Sequence, residues 1–231
     1  LTAALDTVLQ ATGGIWVAAG NPSDSGVVPL PPGTGLYHLR PVPLSAEEIE
    51  WYYLGYANGA LQPLCHLLVE RASFPAAAWQ AYRNVNARFA AAIARQARPG
   101  DLVWLHDYHL ALCPALLRQA MPTVTVALFW HIPWPPHDVF RLCPQRKALL
   151  VVLLRADLLG FQTEESVRNF VDCAVRELGA RLQEEPRRVL YRGRATRIGV
   201  FPISIDYATL AGFARAPLTR RRARLIQSAL K

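Results

Sequence analysis

Between residues 102 and 161, three short apolar runs alternate with polar loops and helical patterns. Leu102-Val103-Trp104-Leu105 gives way to His106-Asp107-Tyr108-His109 and then to a helical pattern ending at Ala120. Residues 124–130 run into His131-Ile132-Pro133-Trp134-Pro135-Pro136, whose prolines exclude a helix. A helical pattern over 146–154 leads to the third run, 157–161, and residues 198–203 supply a fourth. Runs this short suit strands buried on both faces, and strands that alternate with helices pair in parallel. The expected fold is α/β: a Rossmann-like parallel sheet with helices on both faces.

The flanking segments extend the same layer. Apolar positions 1, 5, 8 and 9 predict a first helix, which Gly13-Gly14 ends before a short strand over 15–19. Residues 20–35 read as loop and 36–44 as extended. Ser45 and Glu48 form a capping box for a helical region over 45–71, which Pro63 should break or kink. A second long helix is expected over 74–97, Thr163 should cap another, and 218–231 should form a basic helix. Three tyrosines, Tyr52, Tyr53 and Tyr56, fall on mixed helix faces, so at least one belongs to the core.

Composition narrows the function classes. The chain has 231 residues, 52% of them hydrophobic and 18% charged, which fits one folded domain over 1–231 and excludes disorder. No apolar stretch approaches the roughly 18 residues of a membrane span, and no basic segment opens a signal peptide. Cys65, Cys113, Cys143 and Cys173 lie far apart, without the spacing of a zinc or thioredoxin-like site. They read as buried reduced thiols, and the expected setting is cytoplasmic, with no membrane partner. Basic residues number 25 against 17 acidic, a net charge of +8, and only Lys147 and Lys231 are lysines. Such arginine richness is the mark of a GC-rich genome, and the runs over 181–197 and 215–224 lack the interleaved aromatic series of a nucleic-acid surface. No nucleic-acid partner is expected. No G-x-G-x-x-G occurs, so no dinucleotide cofactor is signalled.

In open parallel sheets, ligands collect beyond the carboxyl ends of the strands. Two polar clusters fall there, one at Asp107 and one at His131. A carboxylate at such a place can accept hydrogen bonds from sugar hydroxyls, and an imidazole can bond a sugar or stand beside a reacting anomeric carbon. Each has a plainer reading: Asp107 as the cap of the next helix, and His131 as a satisfied turn residue. His106, Asp107 and His109 also resemble a metal cluster, but no second carboxylate-rich group completes it, and no metal is expected.

Seven blocks in order carry a family resemblance: Gly13-Gly14-Ile15-Trp16-Val17, residues 50–58, 82–90, 100–110, 129–136 and 157–163, and Pro202-Ile203-Ser204-Ile205-Asp206. Together they resemble the trehalose-6-phosphate synthases, retaining glycosyltransferases built of two Rossmann-like domains, the GT-B fold. The resemblance implies transfer of glucose from a nucleotide-glucose, UDP-glucose foremost, to glucose 6-phosphate, giving trehalose 6-phosphate in trehalose biosynthesis. It implies front-face attack with neither metal nor cofactor, the nucleotide-sugar being a substrate. Carried over by position, Tyr53 stands near the acceptor phosphate, Asp107 binds the acceptor sugar, and His131 faces the transferred glucose.

Two departures accompany it. The family has Trp-Pro where this chain has Gln62-Pro63, and Gln62 offers hydrogen bonds but no aromatic face to the acceptor. The chain also matches only the N-terminal, acceptor-side half of such an enzyme. The first strand with its arginine and a Gly-Gly loop would precede Leu1, and the nucleotide-sugar domain would follow Lys231. The fragment alone is therefore expected to be inactive, with an exposed sheet edge. Two alternatives stay open: a non-catalytic domain that binds a sugar phosphate or pairs with a synthase subunit, and a related synthase using glycerol 3-phosphate. Homo-oligomers are compatible with each.

Overall fold

The computed structural model describes residues 2–21, 26–30, 35–205 and 207–229, so Leu1, Asp206, Leu230, Lys231 and parts of the 20–35 loop lie outside the described residues. The chain groups into two compact units, Leu1–Phe201 and Pro202–Lys231.

The larger unit opens with helix Thr2–Thr12 and a small sheet of β1 (Ile15–Gly20), β2 (Val28–Leu30) and β3 (Tyr37–Pro43). β3 is central, parallel to β1 and antiparallel to β2. β2 lies inside the stretch read as loop, because three residues centred on Pro29 carry no periodic signal. The capping box forms as expected: the Ser45 side chain accepts from the Glu48 backbone, and Glu48 accepts from Ser45 N–H. Beyond it, residues Ile49–Leu61 wind as a π-helix that passes into helix Gln62–Cys65. Pro63 does not break this run: the backbone stays helical through it, and it falls where the helix passes from π to α hydrogen bonding. The chain leaves the helix further on, at Leu67, whose φ of 62° is left-handed.

The main sheet is built from β4 (Leu102–His106), β5 (Thr125–Trp130), β6 (Leu158–Phe161), β7 (Arg181–Glu184), β8 (Arg187–Tyr191) and β9 (Arg194–Val200). Its order is β4-β5-β6-β9-β8-β7, with β4, β5, β6 and β9 parallel. This is the Rossmann-like layer that the alternating pattern implies. The departure is at the far edge, where β7, β8 and β9 form an antiparallel meander. Arg192 and Gly193, with φ of 47° and 76°, make the two-residue turn between β8 and β9. This meander is hidden in sequence because few of its residues are buried, Val189, Thr196 and Ile198 among them, and arginines recur along its strands. β7 is exposed along its whole length, and its charges suit an unpaired edge. The fourth strand also ends at Val200 rather than 203, where Pro202 offers no N–H to extend the ladder.

Asp157 staples the start of the parallel layer. Its carboxylate accepts from Arg118 at 2.5 Å, Arg194 at 2.6 Å and the Val126 amide at 2.8 Å. At the opposite end, the loop 131–136 is held by an aromatic cluster. Trp134 is buried, its ring centroid 4.8 Å from each of Trp130, Phe140 and Phe170. Gly160 makes room for this end of the sheet: a Cβ there would come within 2.8 Å of the Phe129 ring. All four cysteines are free and buried, and burial pushes the thiols of Cys143 and Cys173 up to about 11 and about 12.

The smaller unit consists of helices Tyr207–Arg215 and Pro217–Ala229. The second is the basic helix read from the sequence. Phe213, Leu218, Leu225 and Ile226 are exposed on these helices.

Candidate active site

β4 and β5 run side by side and end together, at His106 and Trp130. The chain continues the ladder one step, with Asp107 N–H donating to the Phe129 carbonyl at 2.7 Å. It then turns sharply at Asp107, whose φ of 72° and ψ of 171° lie in a region nearly reserved for glycine. Such a conformation costs about 1–3 kcal/mol and persists where surroundings over-determine it, often at binding sites.

What over-determines it is visible. Asp107 Oδ1 accepts from the Tyr108 amide at 2.9 Å and from the His131 amide at 3.1 Å. The first bond caps the short helix Tyr108–Leu110, so the cap reading is correct as far as it goes. The second ties the two strand-end loops together. Oδ2 has no hydrogen bond to any described residue. Burial pushes the Asp107 carboxyl above the usual carboxylate range, against the lowering effect of the two amides and of nearby His66.

His131 is likewise bonded on both ends. Its amide holds Asp107, while its ring Nε2 lies 3.1 Å from His106 Nδ1 and its ring edge meets Phe129. The loop beyond it is pinned: Trp134 N–H donates to Ser166 Oγ at 3.2 Å, and Asn169 Nδ2 donates to the Trp134 carbonyl at 3.0 Å.

The three tyrosines divide as their spacing demands. Tyr52 and Tyr56 are buried, whereas Tyr53 is 43% exposed and stacks on His109 at 5.2 Å with a 17° tilt. His109, two residues past Asp107, thus gives Tyr53 its place. Gln62 is exposed and lines a cavity of about 400 Å³ with Asn58, Pro63, His66, Leu68 and Arg71. Its link to the Asp107 loop is indirect: His66, whose ring nitrogen lies 2.8 Å from the Gln62 carbonyl, is near Asp107, and Asn58 of the same cavity accepts at Oδ1 from Tyr108 OH at 2.9 Å. The structure therefore joins Asp107, His131 and, through His109, Tyr53, and leaves Gln62 on the cavity wall.

Two supporting groups escape the sequence reading. Asn86 is fully buried in helix Ala76–Ala94, and its amide donates to the His109 carbonyl at 3.0 Å and accepts from Leu112 N–H at 3.1 Å. Tyr82, on the same face, donates to the Tyr108 carbonyl. A lone Asn at helical spacing from Tyr82, Phe89 and Ala90 was the available signal. Among the described residues, no group of three His, Cys, Asp or Glu side chains is placed to hold a metal ion, so the His106, Asp107 and His109 cluster is not one. No helix among them is long and apolar enough to cross a membrane.

Burial lowers the pKa of His106, His109 and His131 to about 4. Each folded value lies below the roughly 6.5 of an unfolded histidine, so protons favour unfolding. Their contribution to stability is complete above about pH 6.5 and is lost as pH falls towards 4. The melting temperature of the chain is expected to drop across that window. His109→Phe, which keeps a ring against Tyr53, should make the drop shallower, and identical pH profiles for the two proteins would contradict this assignment.

A family model decides the wider relationship: that of glycosyltransferase family 20 matches residues 27–231. The chain belongs to glycosyltransferase family 20. A trehalose-6-phosphate synthase of Mycolicibacterium smegmatis is 39% identical over all of this chain and 47% of its own length. The E. coli protein bound with UDP-2-fluoro glucose superposes with a TM-score of 0.86 at 30% identity, covering 96% of this chain and 49% of that one. An α,α-trehalose-phosphate synthase (UDP-forming) from Burkholderia xenovorans, in complex with glucose-6-phosphate, gives 0.85 at 27% identity, covering 97% and 52%. The chain thus spans about half the length of these family 20 relatives.

Proposed function

We propose that this family 20 chain is the acceptor-side half of a retaining glucosyltransferase that makes trehalose 6-phosphate from a nucleotide-glucose and glucose 6-phosphate. The observation that carries the reading is the joined pair of strand-end loops, in which Asp107 keeps one carboxylate oxygen unclaimed beside His131. The ligands of the E. coli and B. xenovorans relatives support it. In this reading Asp107 Oδ2 accepts from an acceptor-sugar hydroxyl. Tyr53 donates its phenol to the acceptor phosphate, held in reach by the His109 stack. His131 lies against the transferred glucose. Its neutral ring adds no positive charge where oxocarbenium character develops, and UDP-glucose serves as the donor.

The test is an assay of the full-length protein with UDP-glucose and glucose 6-phosphate, reading UDP release and the anomeric configuration of the product. An α,α-linked phosphorylated disaccharide is the expected product. No transfer, or transfer to glycerol 3-phosphate in preference, would overturn the reading. The 231-residue chain alone is expected to turn over nothing, since the donor side of the cleft is assigned to residues outside it.

Gln62 bears on the acceptor. It lines the cavity beside Asn58 and Arg71 and presents an amide where a flat ring would cover a sugar face. Gln62→Trp should tighten glucose 6-phosphate binding several-fold, a gain of about 1 kcal/mol from aromatic contact. Calorimetry on the full-length enzyme decides it, and an unchanged affinity would place Gln62 outside the acceptor pocket.

A further inference from the structure

His106 is absorbed by none of the roles above, yet among the described residues it makes the one hydrogen bond to the His131 ring. His106 Nδ1 and His131 Nε2 are 3.1 Å apart, with ring centroids 5.4 Å apart and a tilt of 34°. On its other side His106 lies against Trp104, centroid to centroid 4.5 Å. The ring is thus wedged between an indole and the imidazole it bonds.

Two nitrogens at this distance share one proton. Two bare nitrogens would repel through their lone pairs, and two N–H groups would clash. One ring must donate and the other accept, so His106 fixes the tautomer of His131. The direction follows from the atoms involved. If His131 donates from Nε2, both rings can carry their protons on Nε2, the commoner form of a free neutral imidazole. If His106 donates from Nδ1, both rings must take the rarer form. The first arrangement leaves His131 Nδ1 as a bare acceptor, with no hydrogen bond to any described residue.

We propose that His106 is a positioning residue for His131: it accepts the Nε2 proton and leaves His131 Nδ1 as an acceptor for a sugar hydroxyl. This rests on the glucosyl-transfer reading for the identity of the ligand, but the tautomer itself does not depend on it. An imidazole held this way takes a hydroxyl hydrogen and orients that sugar. It does not deliver a proton to it.

Two measurements on the full-length enzyme test the proposal. The first is a long-range proton–nitrogen correlation spectrum of the histidine rings near pH 7, without substrate. The expected spectrum shows His131 as a single tautomer, Nε2 protonated and Nδ1 bare, and a mixture in His106→Leu. A His131 ring carrying its proton on Nδ1, or one indifferent to the substitution, would overturn the proposal even if trehalose 6-phosphate is made. The second is kinetics. His106→Leu should lower kcat about tenfold with KM for the acceptor changed less than twofold, while His106→Asn, whose Oδ1 can accept in place of Nδ1, should recover most of it. Equal loss in both variants would mean that His106 only fills space. If the leucine variant does not fold, the wild-type spectrum and the asparagine variant still decide. Absence of any glucosyl transfer with the expected spectrum present would sink the proposed reaction and leave the histidine pair standing.

Discussion

Asp107→Asn in the full-length enzyme is expected to cut kcat/KM for glucosyl transfer about ten- to a hundredfold while the protein stays folded. The asparagine amide oxygen can still accept from the Tyr108 and His131 amides, so the cap and the bridge between the two loops survive. What is lost is the negative charge at the unclaimed oxygen, where an NH₂ now faces the sugar hydroxyl. A hydrogen bond to a charged group contributes about 1.5–3 kcal/mol, and each 1.4 kcal/mol is tenfold in rate. His131→Ala should act on the same scale, because it removes the ring but not the amide that holds Asp107. Circular dichroism and steady-state kinetics check both. Wild-type kinetics in both variants would show that the strand-end loops are structural only, and loss of fold in Asp107→Asn would assign the carboxylate to the cap alone.

These residues were legible in sequence because their position is topological. A polar cluster directly after a buried apolar run marks a strand end, and two such runs adjacent in a parallel sheet bring Asp107 and His131 together. The cap reading of Asp107 and the binding reading do not exclude each other. One oxygen makes the cap, and the other has no hydrogen bond to any described residue. The partners of His109 and Asn86 were not legible, since each acts through a long-range contact: the helical spacing of Asn86 marks a buried polar group but not what it holds. His109 supports Tyr53, more than fifty residues away in the chain, and Asn86 holds the carbonyl of His109. The antiparallel edge failed for another reason. Its exposed strand and its turn carry arginine where period-two alternation would need apolar residues, so the strand signal is swamped by surface chemistry. Pro63 reads as a breaker in sequence, yet helical backbone continues through it from Ile49–Leu61 into Gln62–Cys65.

The same reasoning that ties His131 to its loop makes Trp134 the most consequential core residue near the site. Trp134→Ala is expected to destabilise the chain by about 3–5 kcal/mol, the usual range for emptying a large buried aromatic. The indole touches Trp130 at the end of the strand that precedes His131, Phe140 beyond the loop, and Phe170 on the helix Glu164–Leu178. Its N–H also donates to Cys173 Sγ at 3.4 Å, so truncation leaves both a cavity and an unanswered thiol. At about 2–4 °C per kcal/mol for a protein of this size, the melting temperature should fall by roughly 10 °C. Trp134→Phe keeps ring contacts with the three aromatic neighbours and should lose less than half as much. The backbone bonds from Trp134 to Ser166 and Asn169 persist in both variants, so the loop keeps its path but loses its anchor. Catalytic loss should therefore follow stability loss across the two variants. Wild-type melting in Trp134→Ala would mean that the pinned loop, and not the aromatic cluster, holds His131 in place.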